Sequence, residues 1–286
     1  MNLLYHINQD QSFPEFIAST TLPNKFIRTV LSQKLVLVNN EHYDYIPLLK
    51  TNDIVTIKVP EESIDQSIVH QGIPLDIIYE DDYLLVINKP AKMPVMVTKS
   101  HPLGTLSNAL CYYYQTHDIF SKIHLVNRLD KDTAGLMVVA KNRFVKYLLS
   151  DDLKNKIKRE YICVVKGHLK DKTGTINLPI GKVNPDEIKR SVIENGDNAV
   201  THYQVMKENQ EYSWLLVRLD TGRTHQIRVH LSHIGHPIVG DLLYGNKFDS
   251  IQNLLLFSYQ VGFIHPITKN DINFKIELPE YFEIIK

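Results

Sequence analysis

From residue 74 onward the apolar positions of this chain fall mostly into short runs and period-two alternations, the pattern of strands. The run Leu136-Met137-Val138-Val139-Ala140 reads as a buried strand. Asp76-Ile77-Ile78-Tyr79 and Leu84-Leu85-Val86-Ile87-Asn88, joined by a turn at Glu80-Asp81-Asp82 and stopped at Lys89-Pro90, form a hairpin. Residues 161–165, ending at Gly167, and residues 201–205 and 214–219 are extended as well. Helical spacing predicts a helix over 106–114 and another from Asn142, whose side chain can cap it, with Val145, Leu149 and Leu153 on one face. A third helix is expected over 224–231, capped by Thr224, with Ile227, Leu231 and Ile234 on one face and Gly235 and Pro237 ending it.

Upstream the pattern changes. Residues 24–31 are helix-like, 35–38 extended, and 53–59 alternate with period two up to Pro60. A polar connector follows. The expected organisation is a small N-terminal α/β unit over 1–60, a linker over 61–73 and a main domain over 74–286. The fold class is α+β, a mixed, largely antiparallel sheet with flanking helices.

Composition narrows the function classes. With 43% hydrophobic and 22% charged residues, the 286-residue chain is neither disordered nor membrane-spanning in character. It opens without a basic-then-apolar leader, so a cytoplasmic protein is expected, and no membrane partner. Cys111 and Cys163 offer no disulfide framework, which fits a reducing compartment. The 32 basic and 32 acidic residues balance, so any binding of a polyanion must rest on local patches. One candidate patch holds Lys141, Arg143, Lys146, Lys154, Lys156, Lys158 and Arg159; charge alone favours a solvated helix face and turn, and the position beside the Asp130 strand keeps a binding role in view.

Candidate chemistry concentrates in two places. Asn127-Arg128-Leu129-Asp130 puts a carboxylate at a turn that feeds the buried strand, where a charge is costly without a purpose or a partner. Gly222-Arg223-Thr224-His225-Gln226-Ile227-Arg228 gathers cations at a helix start, where free N–H groups and the helix dipole favour an anion; a surface helix with Arg228 and His230 in water is the plain alternative. A metal site is disfavoured, because His225 and His230, five apart, point about 140° away from each other on a helix, and His230 with His233 supplies only two ligands. A two-carboxylate glycosidase is disfavoured too, since Asp132, two residues from Asp130, tends to point elsewhere.

Taken in order, Arg128-Leu129-Asp130-x-x-Thr133-x-Gly135-Leu136, Tyr161 in the strand ending at Gly167, Thr221-Gly222-Arg223-Thr224-His225-Gln226-Ile227-Arg228 and Gly240-Asp241-x-x-Tyr244-Gly245 strongly resemble the RluA-type pseudouridine synthases. Asn88-Lys89-Pro90-Ala91 and Thr105-Leu106-x-Asn108-Ala109-Leu110 add to the likeness, which covers about residues 74–266. The resemblance implies an RNA-uridine isomerase that needs no metal or organic cofactor and acts as a monomer on structured RNA, ribosomal RNA being favoured over transfer RNA. It implies that Asp130 acts at the ribose, as a nucleophile on C1′ or by removing a sugar proton, after which the freed uracil rotates and rejoins through C5. By the same resemblance Tyr161 stacks on the uracil and helps proton transfer at C5, and Arg223 pairs with Asp130. Arg128 holds the flipped-out nucleotide, Asn127, Lys141, His225 and Arg228 face RNA, and Leu256 lines the pocket. The chain departs from the family where Asn127 replaces a histidine, Ala134 a serine and Lys92 a small residue, and where Leu256-Phe257-Ser258 replaces Leu-His-Ala. The N-terminal unit faintly resembles the RNA-binding domain of ribosomal protein S-four, with Lys25, Arg28 and Lys34 as its cations. Two rival readings stand beside the enzyme: a non-catalytic RNA-binding or ribosome-assembly factor on the same fold, and a small-nucleoside hydrolase with a closed pocket.

Overall fold

The computed structural model of the chain describes residues 1–150, 157–184, 186–245, 251 and 253–285. A first sheet is built from the N-terminal stretch: β1 (Asn2–His6), α1 (Phe13–Ser19), α2 (Asn24–Ser32), β2 (Val36–Val38), β3 (Glu41–His42) and β4 (Ile54–Lys58). Its strands pair antiparallel in the order β1-β4-β2-β3. Helix α2 and strand β4 stand where the hydrophobic pattern places them, whereas β1 and α1 lie outside it. In α1 only Phe16 is buried, so apolar periodicity hardly marks the helix; a capping box does, with Ser12 and Glu15 each accepting the other's backbone N–H.

The remaining elements are β5 (Ile77–Glu80), β6 (Leu84–Lys89), α3 (Leu106–Thr116), β7 (His124–Leu125), β8 (Ala134–Ala140), α4 (Arg143–Ser150), β9 (Ile157–Lys166), β10 (Thr173–Asn177), β11 (Ile180–Gly181), β12 (Ser191–Val192), β13 (Val200–Glu208), β14 (Tyr212–Leu219), α5 (Gln226–His233), β15 (Leu256–Ile264) and β16 (Asp271–Lys275). Ten of these strands make one sheet, ordered β10-β13-β14-β9-β15-β8-β6-β5, with β16 beside β15 and β7 beside β8. Among the described residues every pairing in it is antiparallel except one. At the centre β15 runs parallel to β8, with Phe257 opposite Ala134 and Ser258 opposite Gly135. Gly135 is required there: its φ is +111°, and a Cβ on it would overlap the Ser258 backbone carbonyl.

All seven residues of β8 are buried, because the two faces of the strand enter different cores. Met137 and Val139 join the large cluster with Leu106, Leu110 and Tyr114 of α3, while Leu136, Val138 and Ala140 pack with Val145 and Leu149 of α4. Asn142 caps α4, its Oδ1 accepting the Val145 N–H at 2.9 Å. Phe144 leaves α4 on another side and joins the N-terminal core, 4.5 Å from the ring of Phe26. Leu153, expected on the same face as Val145, lies outside the described residues. The 61–73 connector is tied down as well: Glu62 accepts from His124 Nε2 at 2.6 Å and pairs with Arg143 Nε at 3.2 Å, and Asn108 Nδ2 donates to the Val69 carbonyl at 2.8 Å. No helix among the described residues is long and apolar enough to cross a membrane.

Candidate active site

A pocket of about 630 Å³ opens where the ends of β8 and β15 meet the middle of β9 and the start of α5. Asp130 lines it from the turn before β8, a turn closed by the Thr133 N–H donating to the Asp130 carbonyl at 3.2 Å. Buried Leu129 anchors that turn from within. Lys89 holds it from outside: its Nζ, on a residue only 1% exposed, donates to the carbonyls of Pro90, Met93 and Lys131 at 2.8, 3.0 and 3.1 Å. Burial pushes the Lys89 ammonium down to about 8, while Asp132 and Asp130 pull it the other way.

Opposite Asp130 stands Arg228, the third residue of α5. Its Nη1 lies 3.4 Å from Asp130 Oδ2, and its Nε and Nη2 each donate to Asp241 at 2.8 Å. Burial disfavours the guanidinium's charge, but the Asp241 hydrogen bonds and the two carboxylates more than offset this and raise its pKa. For the Asp241 carboxyl, burial is likewise opposed by Arg228 and by the Tyr244 and Leu243 N–H groups, and the net shift is downward. His225 Nε2 is 4.0 Å from Asp130 Oδ2. Its Nδ1 lies 2.8 Å from the Tyr244 hydroxyl, which also accepts the Arg190 N–H. The imidazole thus turns its Nε2 toward Asp130. Burial keeps it neutral by lowering its pKa, against the pull of Asp130.

Tyr161, 5% exposed, and Leu256, 3% exposed, supply the apolar wall, one from β9 and one from the first position of β15. Burial raises the Tyr161 pKa, so its hydroxyl stays a neutral phenol. Exposed Arg128 and Arg223 stand at the mouth, and both also line a smaller adjoining cavity.

Several sequence-based expectations are corrected by this geometry. Arg223 does not pair with Asp130: its Nε donates to the Asn198 carbonyl at 3.0 Å and its Nη1 is 3.9 Å from Asp197 Oδ2, because its turn lies outside the helix. Arg228 takes that place and, at 5% exposure, lines the pocket rather than the outer surface. Helix α5 begins at Gln226, not Thr224. The N-cap position belongs to His225, in the left-handed region at φ 59° with no side-chain cap. That backbone twist turns His225 inward, its side chain 11% exposed, onto the pocket wall. Asn127 is buried: its Oδ1 accepts the Val138 N–H at 2.7 Å and its Nδ2 donates to the Leu136 carbonyl at 3.5 Å, so its amide serves the edge of β8. Lys141 pairs with Glu80 at 2.6 Å. The basic run as a whole divides: Arg143 pairs with Glu62, Lys146 and Arg159 line the pocket, Lys158 is exposed, and Lys154 and Lys156 lie outside the described residues. Asp241 and Tyr244 acquire site roles that the sequence reading left unassigned, although the Gly240-Asp241-x-x-Tyr244-Gly245 motif contains both.

The chain was compared with known proteins. The sequence model of the family described as RNA pseudouridylate synthase matches residues 83–233, from β6 to the end of α5. RNA pseudouridine synthase YjbO of Bacillus subtilis is 41% identical over 85% of this chain and 86% of its own length. Ribosomal large subunit pseudouridine synthase D of Salmonella typhimurium is 42% identical over 83% of this chain and 71% of its own. Among solved structures, human RNA pseudouridylate synthase domain containing 1 superposes with a TM-score of 0.59 at 26% identity, covering 73% of this chain and 85% of that one. With the paired carboxylate, the buried tyrosine and the sheet that carries them, these likenesses show that the chain belongs to the RluA-type family of RNA pseudouridine synthases, which are isomerases.

Proposed function

We propose that the protein converts specific uridines of structured RNA, ribosomal RNA in the first place, to pseudouridine, with Asp130 as the acting carboxylate. One observation carries this reading: Asp130 projects into a pocket whose depth is lined by a neutral phenol and a leucine, while its ion-pair partner among the described residues is Arg228 and the neutral His225 ring stands 4.0 Å away. A flat base fits between Tyr161 and Leu256, and the ribose then falls beside Asp130. The carboxylate acts at C1′ or on a sugar proton, and either route releases the base for rotation and reattachment through C5. Arg228, held from behind by Asp241, orients the carboxylate. Arg128 and Arg223, exposed at the mouth, suit the phosphates of an extruded nucleotide. Thus Arg228, rather than Arg223, fills the pairing role.

Residues 1–60 serve as an accessory RNA-binding unit in the manner of the S-four domain, with exposed Lys25 and Arg28 on α2. The enzyme works as a cofactor-free monomer in the cytoplasm. The name of the Salmonella relative supports a large-subunit ribosomal RNA target. The test is deletion of the gene, mapping of pseudouridine across cellular RNA, and complementation with wild type or Asp130→Asn. One or a few sites vanish, wild type restores them, and the variant does not. Restoration by Asp130→Asn, or no change on deletion, overturns the reading in favour of a non-catalytic RNA-binding factor.

A further inference from the structure

Three lysine or arginine side chains are buried among the described residues: Lys89, Arg159 and Arg228. Lys89 donates to three carbonyls, and Arg228 binds two carboxylates. Arg159 differs. It is 7% exposed, its Nε is buried without a hydrogen-bond partner, and among the described residues it forms no ion pair. A buried guanidinium nitrogen left without a partner is costly, and a group of this kind inside a pocket is a candidate for completion by a ligand.

The position of Arg159 identifies what that ligand offers. It lies on β9 two residues before Tyr161, on the same face of the strand, and lines the same pocket. Its Nη1 lies under the Gly222 turn, where a Cβ on Gly222 would come within 3.2 Å. Thr133 Oγ1 is a second buried, unpartnered polar atom on a pocket-lining residue. Exposed cations suited to phosphate, Arg128 and Arg223, already stand at the mouth. Arg159 lies deeper, with Tyr161 and Leu256, where the base goes. After burial itself, Arg159 is the strongest influence on the Tyr161 phenol, ahead of Asp130.

Resting on the function proposed above, we propose that Arg159 binds the uracil while it is detached from its ribose and takes up the negative charge the base then carries. When C1′–N1 breaks, the bonding electron pair leaves with N1 and spreads over O2 and O4. Asp130 is neutralised in the same step, by bonding to C1′ or by taking the sugar proton. The pair on the uracil later forms the C1′–C5 bond as the Asp130 carboxylate leaves C1′, or as Asp130 returns the proton to the sugar; the C5 hydrogen then departs as a proton and N1 ends protonated, so the product is an isomer of the substrate. A fixed guanidinium in a water-poor pocket favours the charged base over the neutral nucleoside, which lowers the barrier rather than tightening ground-state binding.

The test uses the full-length enzyme and a synthetic RNA stem-loop containing a uridine that loses its modification in the deletion strain. The target position carries either uridine or 5-fluorouridine, whose base leaves as a more stable anion and needs less help. Formation of the C1′–C5 bond in a single turnover is followed after nuclease digestion, because on the fluorinated RNA the C5 substituent cannot leave as a proton and the product keeps its fluorine. Arg159→Gln is expected to lower this single-turnover rate about 100-fold on the uridine RNA and about 10-fold on the fluorinated one, with the half-saturating enzyme concentration changed less than about threefold. Arg159→Lys, which keeps the charge but not the fork, loses less on both RNAs, and again less on the fluorinated one. Equal losses on the two RNAs mark a merely structural residue and overturn the proposal, as does full activity of Arg159→Gln. If melting shows that Arg159→Gln does not fold, the Arg159→Lys ratio between the two RNAs decides by the same criterion. A wild-type enzyme inert on the RNA fails the reading of the whole site, a result distinct from an active wild type with an indifferent Arg159.

Discussion

Arg228 grips its two carboxylates unequally: both oxygens of Asp241 at 2.8 Å, one oxygen of Asp130 at 3.4 Å. The tight fork fixes the guanidinium, and the looser contact leaves Asp130 able to engage a ribose. Asp241 has no exposed side-chain surface, so Arg228→Ala strands a buried charge. The expected cost is about 3–5 kcal/mol in a denaturant titration, together with loss of pseudouridine formation. A cost below about 1 kcal/mol would show that Asp241 finds another partner or a proton. The sequence displays Arg223 and Arg228 in one motif and does not reveal which of them meets Asp130. The answer depends on the left-handed backbone at His225, which separates an outward turn from an inward helix.

Helix α5 is buried along six consecutive residues from Gln226 to Leu231, which its apolar positions alone do not suggest. Polar side chains make this possible by satisfying one another. Thr221 Oγ1 donates to Gln226 Oε1 at 2.8 Å, Gln226 Nε2 donates to Thr201 Oγ1 at 3.0 Å, and Thr201 Oγ1 lies 2.8 Å from His230 Nδ1. His230 Nε2, 3.0 Å from the Leu178 carbonyl, must be the donor there, so Nε2 carries a proton. Burial lowers the His230 pKa below the ordinary 6.5. Below that pH the unfolded chain therefore binds more protons than the folded one, and stability falls as the pH drops through and below about 6.5. Thermal melts from pH 8 to 5 should show this slope, and His230→Gln should flatten it while lowering stability near neutrality. An unchanged slope in the variant would assign the acid sensitivity to other groups.

At the scale of the whole molecule, α4 joins the two sheets: Val145 and Leu149 pack under the large sheet while Phe144 enters the N-terminal core against Phe26. Replacing Phe144 by alanine should cost about 3–5 kcal/mol, with hydrogen exchange of α2 accelerated more than that of β8. Equal acceleration in both would mean that the N-terminal unit does not depend on this contact. The residues by themselves determined strands β2, β4, β5, β6, β8, β9, β13 and β14, helices α2 and α3, the hairpin, the Asp130 turn and the likeness to a family, because periodicity, turn chemistry and motif spacing are local properties of a chain; they did not mark β15 at the sheet's centre. Pattern reading passed over β1 and α1, whose short, half-exposed elements bury too little apolar surface to leave a period. Only the tertiary structure decided that the Asn127 amide bonds the backbone of β8 and Lys141 pairs with Glu80, that Arg228 and not Arg223 faces Asp130, and that the Arg159 Nε is buried without a hydrogen-bond partner. Ion pairing and burial depend on residues distant in sequence, here 98 positions between Asp130 and Arg228, and such proximity exists only once the sheet has formed.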